Sequence, residues 1–301
     1  MHKGILPGWF TMIVFGGLIV GRALCSTPEI PAPEPSNLHG IRATYCGAPR
    51  RADRRVDVEK LLAELVELRA NTYSFCIHAE ATDWDDLKRF LPAAQTKGIQ
   101  VWASIVPPSE SYPKTKFFAE PFRLDYVRWA EEFAKLSLKY SNLVAWSIDD
   151  FTRNLKTTFT PGYVARMQAA ARRINPRLAF VPCCYFPGVN VSFAANYAPL
   201  LDGILFPYRA ESVKANLKDP SLVEEEIKRL KSILGADFSI VLDIYATAHS
   251  RLGASTSEYV DAVMQQGKRT ADGVMIYCHQ DPNAEAAKFS IIKHNFTAWA
   301  H

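Results

Sequence analysis

From residue 40 onward the chain repeats one hydropathic pattern. A short run rich in β-branched and aromatic residues is followed by a polar loop. Then comes a stretch whose apolar residues recur at three- and four-residue spacing. The β-like runs are IRATYCG (41–47), NTYSFCIHA (71–79), IQVWASIVP (99–107), LVAWSIDDF (143–151), LAFVPCCYF (178–186), DGILFPYRA (202–210), FSIVLDIYA (238–246) and DGVMIYCHQ (272–280). Between them, segments 58–70, 84–98, 123–140, 161–176, 221–235, 256–269 and 284–299 read as helices. Gly98 is placed to end the second of these, and Pro161 to open the fourth, where its missing N–H costs little. The stretch after the fifth run, SFAANYAPLL, is a shorter helical segment.

Strand–helix alternation implies parallel strands joined by crossover helices. Eight such units over residues 39–301 fit a single-domain α/β fold, a (β/α)8 TIM barrel, whose typical size is roughly 250 residues. The competing architecture is an open doubly wound sheet, which normally carries a glycine-rich phosphate turn after its first strand. That turn is CGAPRRADRR here, with no GxGxxG.

Residues 1–25 read as an address rather than as part of the fold. Lys3 supplies a positive start, and the apolar run from Ile5 to Val20 is shorter than the roughly 20 residues of a membrane span. This fits a secretory signal peptide; an uncleaved N-terminal anchor, or a lipidated Cys25, are the alternatives. Residues 26–38 form a proline-rich linker. The expected location is therefore secreted or periplasmic, with membrane contact only through this N-terminal segment. The formal charge of +4 is too mild for a nucleic-acid partner, which needs a concentrated basic face. Six cysteines are too few for a disulfide-built scaffold. Cys46, Cys76, Cys183, Cys184 and Cys278 fall in the β-like runs and read as buried thiols, with a disulfide between neighbouring strands as the alternative.

Barrel enzymes carry their chemistry at the C-terminal ends of the strands. In this chain those ends are polar. Strand two ends in His78 and Glu80, and strand three is followed by Ser109 and Glu110. Strand four ends in Asp149-Asp150 and strand six in Tyr208-Arg209-Ala210-Glu211. Strand seven carries Asp243 and Tyr245, with His249 beyond, and strand eight ends in Tyr277 and His279. Period-two alternation puts Ala145, Ser147 and Asp149 on the inward side of strand four, with Val144, Trp146 and Ile148 facing the helices. It puts Thr72, Ser74, Cys76, His78 and Glu80 inward on strand two. A carboxylate in a barrel interior is costly unless paired or used, and a neighbouring like charge raises one pKa. Asp149, Asp150 and Asp243 are thus the candidate catalytic acids, against the alternative of a structural ion pair with Arg42 or Arg209. Tyr45, His78, Glu80, Trp102, Tyr208, Arg209, Glu211, Tyr245, Tyr277 and His279 are candidate substrate contacts, with Trp102 a sugar platform or a core residue. No metal ligand set and no cofactor is assigned.

Strand-end acids with many aromatics suit glycoside hydrolysis, which needs two carboxyl groups flanking the bond. Asp149 or Asp150 would be one; Glu80, Glu211 or Asp243 would be the other. A substrate-assisted route, with one acid and a Tyr or Asp positioning a substrate group, is also open. The segment LVAWSIDDF resembles the acid-bearing fourth strand of TIM-barrel glycoside hydrolases, particularly the chitinase-like group. It departs from that group's DxxDxDxE pattern: Ala145 and Ser147 stand where earlier acids are expected, no Glu ends the strand, and strand six offers Tyr208-Arg209 rather than Tyr-Asp. The chain as a whole resembles secreted bacterial barrels grouped with glycosidases. The resemblance implies a carbohydrate substrate. The competing classes are a non-catalytic carbohydrate-binding barrel and a metal-dependent hydrolase built on Asp149, Asp150, His78 and His279. No HExxH occurs for the latter, and no GxSxG for a serine hydrolase.

Overall fold

The computed structural model describes Met1, residues 38–116 and residues 118–300. Apart from Met1 and Leu38, the expected leader and linker lie outside the described residues. No helix among the described residues is long and apolar enough to cross a membrane.

Eight parallel strands alternate with eight helices, as the periodicity predicts. They run β1 (Ile41–Tyr45), α1 (Val58–Glu67), β2 (Thr72–Ile77), α2 (Asp83–Thr96), β3 (Gln100–Ile105), α3 (Tyr126–Lys139), β4 (Leu143–Ile148), α4 (Pro161–Arg172), β5 (Ala179–Phe180), α5 (Val191–Tyr197), β6 (Ile204–Pro207), α6 (Val223–Leu234) and β7 (Ile240–Tyr245). A two-residue-strand hairpin, β8 (Ala248–His249) and β9 (Gly253–Ala254), follows β7. Then α7 (Ser257–Thr270), β10 (Gly273–Tyr277) and α8 (Ala286–Ala298) complete the chain. The hairpin aside, the sheet order is β5-β4-β3-β2-β1-β10-β7-β6. The chain just beyond β5 joins β6: Leu205 N donates to Pro182 O at 3.0 Å, and Cys184 N donates to Leu205 O at 2.8 Å. These bonds close the barrel.

Five of the eight helices start where a side chain satisfies a free N–H group. Asp57 accepts from Lys60 N at 3.0 Å, Asp125 from Arg128 N at 3.0 Å and Thr256 from Tyr259 N at 3.2 Å. Gly98 follows α2 at φ +68°, a conformation that glycine adopts without steric cost.

Two apolar layers result from strand alternation. Ile41, Ala43, Trp102, Ala145, Val181, Leu205, Val241 and Met275 fill the barrel, with Leu38 packed against them. Tyr73, Phe75, Trp146, Ile148, Phe206, Leu242 and Ile276 belong to the larger core under the helices. Strand four behaves as expected for Ala145 against Trp146 and Ile148. Val144 instead joins the interior cluster, because the β3–β4 register shifts between Val101 and Trp102.

Gly273 sits at the β10–β1 seam, opposite Ile41. A Cβ there would lie 2.5 Å from Ile41 Cβ and 3.1 Å from its backbone nitrogen. Backbone cannot yield as a flexible side chain can. Gly273→Ala is therefore expected to cost about 1–3 kcal/mol, the range for overpacking. Chemical denaturation would check it; an unchanged midpoint would show that the seam can relax.

Candidate active site

The acid cluster begins where β4 ends. Asp149 N still pairs with Ile105 O at 3.0 Å, while its Oδ1 accepts from Asp150 N at 2.8 Å. Asp150 adopts left-handed φ of 42° and opens a 3-10 turn, Phe151–Asn154. Arg153 on that turn reaches back to Asp150, with Nη1 3.1 Å from Oδ2. A second turn, Pro108–Glu110, follows β3. Asn154 clamps the two turns together. Its Nδ2 donates to Ser109 Oγ at 2.8 Å and to Asp150 O at 2.9 Å, and its Oδ1 accepts from Ser109 N at 3.2 Å. The clamp holds the turn that carries Glu110 against the turn that Asp150 opens.

Glu110, Asp149, Asp150 and Asp243 line one cavity of about 480 Å³ at the C-terminal end of the barrel. That size lies within the roughly 300–1,000 Å³ of small-molecule sites. Burial, with the charges of Asp149 and Asp150, pushes the Glu110 carboxyl up to about 8. Burial and the charge of Asp150 push Asp149 up to about 6. Near neutral pH the cavity therefore presents a protonated Glu110 beside an ionised Asp149, the split that acid–base chemistry uses. Asp243 faces them from β7. It is buried, its Oδ2 accepts from Tyr45 Oη at 2.8 Å, and its Oδ1 has no partner among the described residues. Burial holds its proton well above the usual carboxylate range.

Aromatic residues wall the remainder. Tyr277 packs against Tyr45 at 5.1 Å and Tyr245 at 5.2 Å between ring centroids. Tyr185, after β5, lines the cavity beneath two guanidinium groups, Arg153 at 4.6 Å and Arg209 at 4.2 Å from its ring centre.

The structure thus gathers Asp149, Asp150, Asp243, Tyr45, Tyr245 and Tyr277 around one cavity, with His78 on an adjoining one of about 270 Å³ that shares Glu110 and Asp149. Six other expected contacts lie elsewhere. Trp102 is fully buried inside the barrel and offers no face to a sugar. Tyr208 follows the inward-facing Pro207 and so points outward, its hydroxyl bonded to Asp219 O at 2.7 Å. Arg209 and Glu211 pair with each other behind Tyr185. Glu80 pairs with Arg54, because the backbone N–H groups of residues 78–80 wrap around the Asp83 carboxylate and turn the chain away. His279 is buried under α1 between Thr44 Oγ1 at 2.9 Å and Glu64 Oε2 at 3.1 Å. His279 therefore does not converge with the aspartates, and no group of three or more metal-ligating side chains forms among the described residues. Arg42 bonds to Arg69 O and Trp299 O, away from the acids.

Glu110, Arg153, Cys183, Tyr185 and His249 also line the cavity, although the sequence reading did not select them as site residues. Glu110 and His249 carried the available signal, a polar residue just past a strand end. Arg153 and Tyr185 carried none, since their positions depend on irregular turns.

No protein-family model matches the chain, and no curated protein matches it. Solved structures match its fold. A glucosidase from Croceicoccus marinus superposes with a TM-score of 0.63 at 14% identity, covering 89% of this chain and 70% of its own. An endo-1,4-β-mannanase from Rhizomucor miehei gives 0.59 at 9% identity, covering 87% and 95%. A thermostable chitinase domain from Pyrococcus furiosus gives 0.56 at 14% identity, covering 89% and 96%. The chain therefore has the TIM-barrel fold found in many glycoside hydrolases.

The elevated Glu110 pKa has a consequence for stability. An unfolded glutamate titrates near 4.3, and the folded one near 8. Between those values the native state holds more protons, so this group makes stability fall as pH rises across that window. Glu110→Gln should raise the melting temperature relative to wild type more at pH 9 than at pH 5. An equal shift at both pH values would contradict the assignment.

Proposed function

We propose that this protein is a glycoside hydrolase, acting on a poly- or oligosaccharide by carboxylate general acid/base catalysis. The observation that carries the proposal is that Glu110 and Asp149 line one cavity at the C-terminal end of the barrel, and their raised pKa values suit an acid–base pair. The fold shared with a glucosidase, a mannanase and a chitinase supports the same reading.

In this mechanism Glu110 donates its proton to the glycosidic oxygen as the bond breaks. Asp149 supplies negative charge to the developing oxocarbenium centre, either as nucleophile or by activating water. Asp150 is tied to Arg153, and Asn154 holds its turn against the one that carries Glu110. Asp243 and Tyr45 form one hydrogen-bonded unit in the cavity wall. The rings of Tyr277, Tyr245 and Tyr185 supply apolar faces for a sugar. In the secreted or periplasmic setting expected from the leader, the substrate is extracellular carbohydrate.

The test is reducing-sugar release from a broad polysaccharide panel, with EDTA as a parallel arm. Glu110→Gln and Asp149→Asn should each lower kcat by about 10²–10⁴, the usual worth of a positioned acid or base. Release should survive EDTA. Sugar binding without turnover by the wild type would favour a carbohydrate-binding barrel, and EDTA-sensitive release a metal-dependent hydrolase.

The two carboxyls also set a pH profile. Asp149 must lose its proton and Glu110 must keep it, so kcat/KM should be bell-shaped, with limbs near pH 6 and pH 8. Glu110→Gln should flatten the alkaline limb. An alkaline limb unchanged in that variant would reassign the proton donor.

A further inference from the structure

Beside the acid cavity, the ends of β1 and β2 bring two thiols together. Cys46 Sγ lies 3.1 Å from Cys76 Sγ. Both side chains line the adjoining cavity of about 270 Å³, and both also line a neighbouring one of about 180 Å³. Neither thiol is sealed in the core: each is half-buried. The proposed glycosidase chemistry uses neither.

We propose that Cys46 and Cys76 form a reactive dithiol site that takes small-molecule disulfides and closes to an intramolecular Cys46–Cys76 disulfide. The two sulfurs are already in contact, and a disulfide requires them about 1 Å closer, at roughly 2.05 Å. The cavities on either side give a disulfide reagent room to reach them.

The surroundings divide the roles of the two sulfurs. Hydrogen bonds from Cys46 and His78, together with the charge of His78, lower the Cys76 thiol to about 5. The hydrogen bond to Cys76 and burial push Cys46 up. His78 lines the same two cavities and interacts with Cys76, so it can take the Cys76 proton; this makes Cys76 the nucleophile and Cys46 the resolving thiol. His78 is buried, which works against its charge, but the hydrogen bond with Cys76 and the charges of Cys76, Asp83 and Asp149 raise its pKa overall. Cys278 and Asp149 also face this pair and oppose additional negative charge.

The chemistry balances as a two-step exchange. The Cys76 thiolate attacks one sulfur of a disulfide RSSR. A mixed disulfide forms and one RS⁻ leaves. The Cys46 thiol then gives up its proton to solvent or to His78 and attacks Cys76 Sγ, expelling the second RS⁻. Two protein thiols are oxidised, and one RSSR is reduced to two RSH.

The test uses the full chain and oxidised glutathione as the probe. Peptide mapping of the treated wild type should show a Cys46–Cys76 cross-link with no retained glutathione. Cys46→Ser should stop at the first step, with glutathione held on Cys76. Because a variant can misfold, the native protein supplies an independent readout: brief alkylation with iodoacetamide should label Cys76 before Cys183 or Cys278. A stable glutathione adduct on wild-type Cys76, a cross-link involving Cys278, or preferential labelling of another cysteine would each overturn the proposal.

Discussion

Each strand of a closed parallel barrel has an inside and an outside, and side chains alternate between them residue by residue. That alternation is the constraint on which the rest of this molecule depends. It sends Trp146, Ile148, Leu242 and Ile244 under the helices, and Ala145, Val241 and Met275 into the interior. The last inward place on a strand lies at the mouth, where the interior filling stops. Asp149, Tyr245 and Tyr277 hold those places, with Asp243 one inward place below Tyr245, and so meet across one cavity. The same rule excludes Tyr208, one residue out of phase with the inward Pro207.

A cavity lined by four carboxyl groups is electrostatically expensive. Each group loses hydration, and each ionised neighbour adds repulsion. Burial raises the carboxyl pKa values of Glu110 and Asp243, while Arg153 supplies the one cation paired with Asp150 among the described residues. Burying carboxyl groups together at the mouth costs stability. It is tolerable because the load is local. Beneath the mouth, Trp102 and the small and branched residues of the interior pack without charge.

Irregular backbone completes what the strands begin. The left-handed Asp150, the turn after it and the Asn154 clamp bring the β3 and β4 loops together. The N–H cradle around Asp83 gives the β2 loop its own shape and draws Glu80 out to Arg54. His279 illustrates the same point: a polar residue just past a strand end can belong to a buried strut, here between Thr44 and Glu64, rather than to the cavity.

The sequence by itself determined the eight strand–helix units, the barrel they build, the inward standing of Asp149, and the strand-end places of Tyr245 and Tyr277. Those features follow from periodicities of two and 3.6 residues, which are local and written directly in the order of apolar positions. Only the tertiary structure decided that Glu110 joins the acids while Glu80 and Glu211 do not. It likewise decided that Cys46 meets Cys76, and that Tyr185 rather than Trp102 offers a ring to the cavity. The physical reason is distance along the chain. Asn154 reaches a partner 45 residues away, and Cys46 one 30 residues away. Such meetings depend on how loops turn after the strands end, where no period remains to be read.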